Sequence, residues 1–489
     1  MDQSNSFSPG YHGPVQLHVS LVERKELSGE IYRQLRRAIV DGRLRPGESL
    51  PPSRELARGL SVSRTTVTVA YDRLAGEGFV TARVGAGTFV NAHGAPARNQ
   101  PARPPVEGAL RPRPVWDSIP LSTAFARPAQ FDFRTGVPDA SLFPHDRWRR
   151  LMSRQLRSEA VGAGVYGEPA GHRGLREAIA RHIGVARGVD ASADDVTVVN
   201  GTQQALDIVA RALLAPGDRV AVEDPGYRPA RWLFASLDIR VTGVPVDAHG
   251  LVVDALPGRA RLVYVTPSHQ YPLGVSMGLA RRRALLAWAE RNGAAIVEDD
   301  YDSEFRFGGR PIEPLQTLDT TGRVVYIGSF SKTMLPTLRL GFVVTPPSLR
   351  AAVHKAKQVT DWHTSTPVQT ALARFIDDGG FARHIRKMSG VYRARHERVT
   401  NVLNRDFAGR LEVIPSAAGL HVTALAPAAF PDEIAAVLQR ASDAGVELHD
   451  LSRFSTDTPP RAGVVLGYGA IATASIEEGL RRLRSCFGG

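Results

Sequence analysis

Apolar positions along this chain follow one period near the start and another further on. Between residues 20 and 92 they recur at helical spacing in "LSGEIYRQLRRAIVDG" and pass a turn at "LRPGESLPP". They resume in "SRELARGL" and "SRTTVTVAYDRLAGEG" and close on the strand-like "FVTARVGAGTFV". This predicts three helices and a β-hairpin. From residue 129 onward, short Val/Ile runs ("DVTVVNG", "RVAVEDPGY", "RLVYVTP", "AAIVEDDY", "RVVYIGSF") alternate with amphipathic stretches such as "TQQALDIVARALL". Alternation of that kind predicts an α/β domain, a mostly parallel sheet covered by helices on both faces. Beyond about residue 380, helices mix with strands such as "LHVTAL" and "AGVVLGY", which predicts a smaller α+β subdomain. Residues 1–19 read as a loose leader. Residues 93–128, rich in proline and arginine and without either period, read as a semi-rigid linker. The expected domains are therefore 20–92 and 129–486.

A length of 489 residues calls for two or more domains, and 43% hydrophobic content supports full cores. No run approaches the roughly 18 apolar residues of a membrane span. The opening "MDQSNSFSPG" lacks both regions of a signal peptide, so a cytoplasmic location is expected. The single cysteine, Cys486, excludes intramolecular disulfides and cysteine-cluster metal sites, and no metal is expected. It reads as an incidental thiol near a mobile end. A net charge of +12 admits a polyanionic partner without requiring one.

The two short helices of "SRELARGL-SV-SRTTVTVAYDRL" have helix-turn-helix spacing, with Ser53 and Ser63 as expected N-caps. The second helix opens with Ser63, Arg64, Thr65 and Thr66, small donors and a guanidinium at the end that would enter a major groove. Val67, Ala70, Tyr71 and Leu74 would form its buried face. The hairpin has a glycine tip able to approach a phosphate backbone, flanked by Arg83. Residues 20–92 hold 12 Lys+Arg and 8 Asp+Glu, a local +4. The whole stretch resembles the GntR-type winged helix, from "IYRQLRRAIVDGRLRPGESLPPSRELA" to the wing "GAGTFV". That resemblance implies double-stranded DNA as partner, contacted by Arg54, Ser63, Arg64, Thr65 and Thr66, with Arg83, Gly85 and Gly87 of the wing in support.

In the larger region one lysine stands out. Only five of the 61 Lys+Arg are lysines, yet "SFSKTMLPTLRLGF" places Lys332 between serines in an apolar, Gly-punctuated stretch. Lysine in apolar surroundings has a depressed pKa and becomes an amine nucleophile able to form a Schiff base. Ser329 and Ser331 offer hydroxyls, and Arg339 a forked guanidinium suited to phosphate. "NGTQQAL" places Gly201, Thr202 and Gln203 where a strand gives way to a helix, a ready phosphate site. In "AAIVEDDY", period two puts Asp299 and Tyr301 on one face and Glu298 and Asp300 on the other. A carboxylate there suits a protonated pyridine nitrogen and a phenol suits its O3′, while Tyr227 in "EDPGY" is placed to stack.

Residues from about 129 to 485 resemble the fold-type I aminotransferases in "YGEPAGHRGLREAIA", "NGTQQAL", "EDPGY", "TPSHQYPLG", "EDDYDSEFR" and "SFSKTMLPTLRLGF". With the winged helix and linker, nearly the whole chain resembles the MocR family of transcriptional regulators. The resemblance implies pyridoxal 5′-phosphate as cofactor, carried on Lys332 as a Schiff base. It implies that Asp299 pairs with the pyridine nitrogen, Tyr301 contacts O3′ and Tyr227 stacks. Ser329, Arg339, Thr202 and Gln203 would hold the phosphate, and Tyr166 would reach the site of the second subunit of a homodimer. Two departures stand against the aminotransferase pattern. Tyr271-Pro272-Leu273-Gly274 replaces Asn-Pro-x-Gly, so the asparagine contact to O3′ is absent, with Gln270 and His269 as candidate substitutes. The late strand "AGVVLGYGA" has no arginine for an effector carboxylate, leaving Arg453 and Arg461 as nearby candidates.

Two functions compete on this basis. In one the chain is a DNA-binding regulator that senses pyridoxal phosphate itself, or an amine or amino acid through it, with little or no multiple-turnover transamination. In the other it is a working aminotransferase with a fused DNA-binding module. A domain kept only for dimerisation is opposed by the intact Lys332, Asp299, Tyr301 and Arg339.

Overall fold

The computed structural model describes residues 5–7, 19–21, 26–83, 87–91, 110–121, 129–157, 164–308, 313–427 and 431–487. The chain divides into two compact units, Met1–Pro112 and Arg113–Gly489.

In the first unit, α1 (Leu27–Val40), α2 (Ser53–Gly59) and α3 (Arg64–Gly76) enclose a core of Ile31, Leu35, Ile39, Leu56, Val67 and Leu74. The hairpin of β1 (Val80–Arg83) and β2 (Gly87–Val90) closes it, with Val80 opposite Val90. The buried face of α3 is the expected one, Val67, Ala70, Tyr71 and Leu74. Ser63 caps α3 by accepting from Thr66 N at 3.1 Å. Ser53 does not cap α2: Pro52 occupies the cap position, and the Ser53 hydroxyl instead accepts from Arg64 Nε at 3.4 Å. The leader, read as structureless, pairs Asn5–Phe7 with Val19–Leu21 in a short antiparallel ribbon. Three-residue strands are too short to show an alternation.

The second unit is built on an eight-stranded sheet in the order β4 (Val196–Val199), β11 (Gly341–Val344), β10 (Val324–Ser329), β9 (Ala295–Asp300), β8 (Leu262–Val265), β5 (Arg219–Asp224), β6 (Arg240–Asp247) and β7 (Gly250–Leu251). The run from β10 to β6 is parallel, whereas β11 and β7 are antiparallel to their neighbours. Strands of Val and Ile buried on both faces require helices on each. Helices α4 (His145–Gln155), α5 (Arg173–Arg187), α8 (Leu279–Asn292), α9 (Leu315–Leu318) and α11 (Thr366–Asp377) cover one face. Helices α6 (Thr202–Leu213), α7 (Arg228–Ser236) and α10 (Arg350–Asp361) cover the other.

The C-terminal subdomain has an antiparallel sheet ordered β12 (Glu412–Val413), β13 (His421–Leu425), β16 (Gly463–Gly467) and β15 (His449–Asp450). Its core is shared with α12 (Gly380–Asp406), α13 (Pro431–Asp443) and α14 (Ile476–Ser485). Cys486 belongs to that core and donates to Arg482 O at 3.2 Å, so it is a packed residue rather than a thiol at a loose end. β3 (Phe131–Asp132) pairs in parallel with β14 (Val446–Glu447), which fixes the start of the segment leading to Gly136.

Two aspartates join this subdomain to the large sheet. Asp224, at the end of β5, accepts from the backbone N–H groups of Thr456, Asp457 and Thr458 at 2.6–2.9 Å. Asp457 in return accepts from Arg231 Nη2 at 2.7 Å and Gly243 N at 2.6 Å. The end of the linker also departs from expectation. A 3₁₀ turn at Pro114–Ser118 belongs to the second unit, and Arg113 ties it down through Asp238 at 2.8 Å and the Ser236 carbonyl. Proline at the turn's first position supplies the backbone angle it needs.

Candidate functional site

Strand ends place most of the chemistry. β9 delivers Glu298, Asp299 and Asp300 fully buried, and their faces alternate as the period predicts. Glu298 turns to Arg282 Nη1 at 3.3 Å and to the N–H groups of Leu315 and Gln316. Asp300, on the same face, takes Arg187 Nε at 2.9 Å and the Tyr326 phenol at 2.7 Å. Asp299 faces the other way and accepts from the Tyr264 phenol at 2.7 Å through Oδ2, while its Oδ1 is buried without a partner. Burial pushes the Asp299 carboxyl up to about 7 against the lowering effect of the Tyr264 bond.

Lys332 follows β10 and donates to Gly136 O at 2.8 Å. Gly136 has φ +88°, and a Cβ there would stand 3.4 Å from the lysine nitrogen, so this position both turns the chain and leaves room for the amine. Burial lowers the Lys332 pKa against the pull of Asp302 and Asp299, which makes the neutral, nucleophilic amine more accessible. Tyr301 stands beside His269, donating to its carbonyl at 3.0 Å and lying 3.1 Å from its Nδ1. His269 is in turn braced by Asp302 at 3.1 Å and Ser416 at 3.1 Å. His269, Asp302 and His421 bring three ligand-type atoms within 4.8 Å of one another. Hydrogen bonds already engage them, His421 to Pro272 O at 2.9 Å, and the trio reads as a brace for Tyr301.

A second cluster forms a cradle of donors at the start of α6. Gly201 enters α6 with φ +88° and no side-chain cap, and the first N–H groups of an α-helix have no partner within it. A Cβ on Gly201 would stand 3.1 Å from Arg339 Nη2. Arg339 itself has φ +51° and donates to Asn200 O at 2.5 Å. Thr202 and Gln203 open the helix, and Gln203 donates to the Tyr227 phenol at 3.3 Å. Ser329 accepts from Ser331 N at 3.1 Å, which orders the loop ahead of Lys332. Free helix N–H groups, a guanidinium and loop hydroxyls are donors that could hold a phosphate.

Other expected residues fall differently. Neither replacement for the missing asparagine has a free donor: Gln270 Nε2 donates to the carbonyls of Pro225 at 2.9 Å and Tyr271 at 2.8 Å, and both His269 nitrogens are engaged. The Tyr271 side chain itself lies in the site, edge-on to Tyr227 and Tyr301 and paired with Thr135 at 2.8 Å. Arg453 and Arg461 are exposed, and β16 carries only Gly, Val and Leu. Tyr166 is 77% exposed and lies tilted against Trp362, ring centroids 5.0 Å apart. Tyr264, Gly136, Asp302 and Ser416 were missed. A phenol inside the buried run "RLVYVTP" was a readable oddity, whereas a backbone carbonyl leaves no mark in a sequence.

In the first unit, Arg54, Ser63, Arg64 and Thr65 occupy the start of α2 and α3, with Arg54, Arg64 and Thr65 exposed and Thr66 half-buried. Arg83 lies over the Phe89 ring at 5.1 Å, and Gly87 opens β2. Gly85 lies outside the described residues.

Comparison with known proteins matches residues 27–90 to the bacterial regulatory proteins of the gntR family and residues 130–449 to aminotransferase class I and II. The chain is 38% identical to the probable rhizopine catabolism regulatory protein MocR of Rhizobium meliloti, over 94% of this chain and 93% of that protein. It is 35% identical to the HTH-type transcriptional regulator TauR of Rhodobacter capsulatus, over 93% of this chain and 96% of that one. With the HTH-type pyridoxine biosynthesis transcriptional regulator PdxR of Corynebacterium glutamicum it shares 31%, over 92% and 93%. Among solved structures it resembles a Pyrococcus horikoshii kynurenine aminotransferase, with TM-score 0.69 and 28% identity over 78% of this chain and 95% of that one.

Proposed function

The chain belongs to the MocR-type transcriptional regulators, a gntR-family DNA-binding domain joined to an aminotransferase class I and II domain, and on that footing we propose how the two parts divide the work. The first unit binds DNA through the start of α3. The second holds pyridoxal 5′-phosphate, and its occupancy, alone or with an amine or amino-acid effector, alters operator binding.

The observation that carries the cofactor reading is Asp299 Oδ1, a buried carboxylate oxygen without a partner, on a residue whose charge acts on Lys332. A buried unpaired carboxylate is costly unless a cation or donor meets it. A protonated pyridine nitrogen meets that need, and the cradle at Gly201 and Arg339 suits the phosphate at the other end of the same molecule. The residues present thus fit the group. Bound there, pyridoxal phosphate supplies an aldehyde able to bond an amine and a ring that accepts electron density. Lys332 presents the amine, its pKa lowered by burial. Asp299 holds the proton on the ring nitrogen, and Tyr301, fixed by His269, stands ready at O3′. Arg339 and the N-terminus of α6 hold the phosphate, and Tyr227 and Tyr271 wall the ring.

The absence of an arginine from β16 supports regulation over turnover, because an amino-acid substrate lacks the usual carboxylate partner there. The intact lysine, aspartate and tyrosine support the second reading, a residual transaminase. Borohydride reduction of the protein with pyridoxal phosphate should label Lys332, and Lys332→Ala should fold without labelling. Operator affinity is then titrated with the cofactor alone and with a panel of amines and amino acids. Rapid turnover with a keto acid, together with operator affinity indifferent to every addition, would overturn the regulator reading.

A further inference from the structure

Behind the cradle, around the buried Lys357, lies a polar network that the reading above does not use. Asn200, the residue before Gly201, is held on three sides. Its N–H donates to Gln204 Oε1 at 2.8 Å, its side-chain amide donates to Asp361 Oδ2 at 2.7 Å, and its carbonyl receives Arg339. Gln204 Nε2 donates to the same Asp361 Oδ2 at 2.7 Å. Lys357, fully buried on α10, donates to Gln204 Oε1 at 2.9 Å, Asp361 Oδ1 at 2.5 Å and Thr364 Oγ1 at 3.3 Å.

The chemistry of these groups dictates one arrangement. An ammonium only donates and a carboxylate only accepts, whereas the Gln204 amide has one end of each kind. Lys357 therefore captures the oxygen end and Asp361 the nitrogen end. The amide has a single orientation, and that orientation turns an acceptor toward the Asn200 N–H. An ion pair that buries its lysine in this way is weak support for stability, since apolar side chains of similar volume often serve as well. Fixing an orientation is what the pair does that apolar residues could not.

We propose that Lys357 and Asp361 are positioning residues that fix Asn200 by its N–H and side chain, and through it the Asn200–Gly201 peptide, so that the site's preference for a phosphorylated ligand depends on them although neither touches it. The inference rests on the cofactor reading above, and it concerns the phosphate end alone. Loss of the pair lets the Gln204 amide turn, releases the Asn200 peptide and misaligns the α6 N-terminus with Arg339. The aldehyde end, held by Lys332, Asp299 and Tyr301, is left as it was.

The test compares pyridoxal phosphate with unphosphorylated pyridoxal on the full chain, each titrated by absorbance, in wild type, Lys357→Met and Asp361→Asn. Thermal melting checks that each variant folds. We expect the variants to bind pyridoxal phosphate about tenfold more weakly and pyridoxal within about twofold of wild type, so the preference falls about tenfold, or 1.4 kcal/mol. If Lys357→Met does not fold, Asp361→Asn carries the same comparison, because its side chain reaches the surface and keeps its volume. An unchanged preference, or an equal loss for both ligands, would overturn the proposal and leave the pair a packing element. Failure of the wild type to bind pyridoxal phosphate would instead strike the cofactor reading.

Discussion

Tyr264 donates its phenol to Asp299 Oδ2 at 2.7 Å, so one oxygen of the carboxylate is committed to the protein and the other is left for a ligand. The bond stabilises the ionised carboxylate in a site where burial opposes it. Tyr264→Phe should raise the Asp299 pKa further and weaken pyridoxal phosphate binding about tenfold, since a bond to a charged group contributes about 1.5–3 kcal/mol. The loss should be greater near about pH 6 than near about pH 8, because a carboxyl with a higher pKa stays neutral over more of that range. Titration at the two pH values checks it, and an equal loss at both would count against the mechanism.

Asp299 also makes the cofactor-free protein sensitive to pH. Its folded value of about 7 lies above the usual carboxylate value because of burial. The folded state therefore holds the proton more tightly than the unfolded chain. Its contribution to stability is full below about pH 4 and is lost as pH rises toward about 7. Asparagine has no proton to lose. Cofactor-free Asp299→Asn should lose less stability than wild type over that window, read by thermal melting, while binding of pyridoxal phosphate falls sharply.

Gly201→Ala tests the cradle directly. The substitution places a methyl 3.1 Å from Arg339 Nη2 at a backbone angle of φ +88° that side chains rarely adopt. Strain of that kind costs about 1–3 kcal/mol. Pyridoxal phosphate affinity should fall roughly tenfold or more, while pyridoxal is bound nearly as before, because only the phosphate end is disturbed. A variant with wild-type affinity for pyridoxal phosphate would place the phosphate elsewhere.

Arg64 is exposed at the start of α3, steadied by Ser53. Arg64→Ala should erase about 1–3 kcal/mol of discrimination at one base pair of each operator half-site. It should leave the visible absorbance of the bound cofactor unchanged. Gel-shift competition against scrambled operator measures the first effect, and wild-type discrimination by the variant would move the reading head to another residue.

Much of this was legible because it is written in local pattern. The α3 core face, the alternation of Glu298, Asp299 and Asp300 across β9, and the glycine at the mouth of α6 each follow from a period or a backbone requirement within a few residues. What stayed hidden was set by partners distant in the chain. Tyr264 reaches Asp299 across neighbouring strands, and Lys332 meets the carbonyl of Gly136, 196 residues away. The Ser53 cap failed because a preceding proline took the position and the hydroxyl found Arg64. The candidates for the missing asparagine failed because their donors were already spent on Pro225, Tyr271, Asp302 and Ser416.

The exchange of carboxylates between Asp224 and Asp457 gives the second unit a clasp. Three consecutive backbone amides converge on Asp224, and Asp457 answers to Arg231 and Gly243, so this edge resists sliding in either direction. The C-terminal subdomain is fastened again at Pro272, whose carbonyl meets His421 at 2.9 Å and Thr423 at 2.5 Å, and a second fastening opposes rotation as the first opposes sliding. Phe454, just before the clasp, rests edge-on against Tyr271 at 5.3 Å. Tyr271, next in the chain to Pro272, is thus wedged between the two fastenings, and its ring is seated by the subdomain as firmly as by the large sheet.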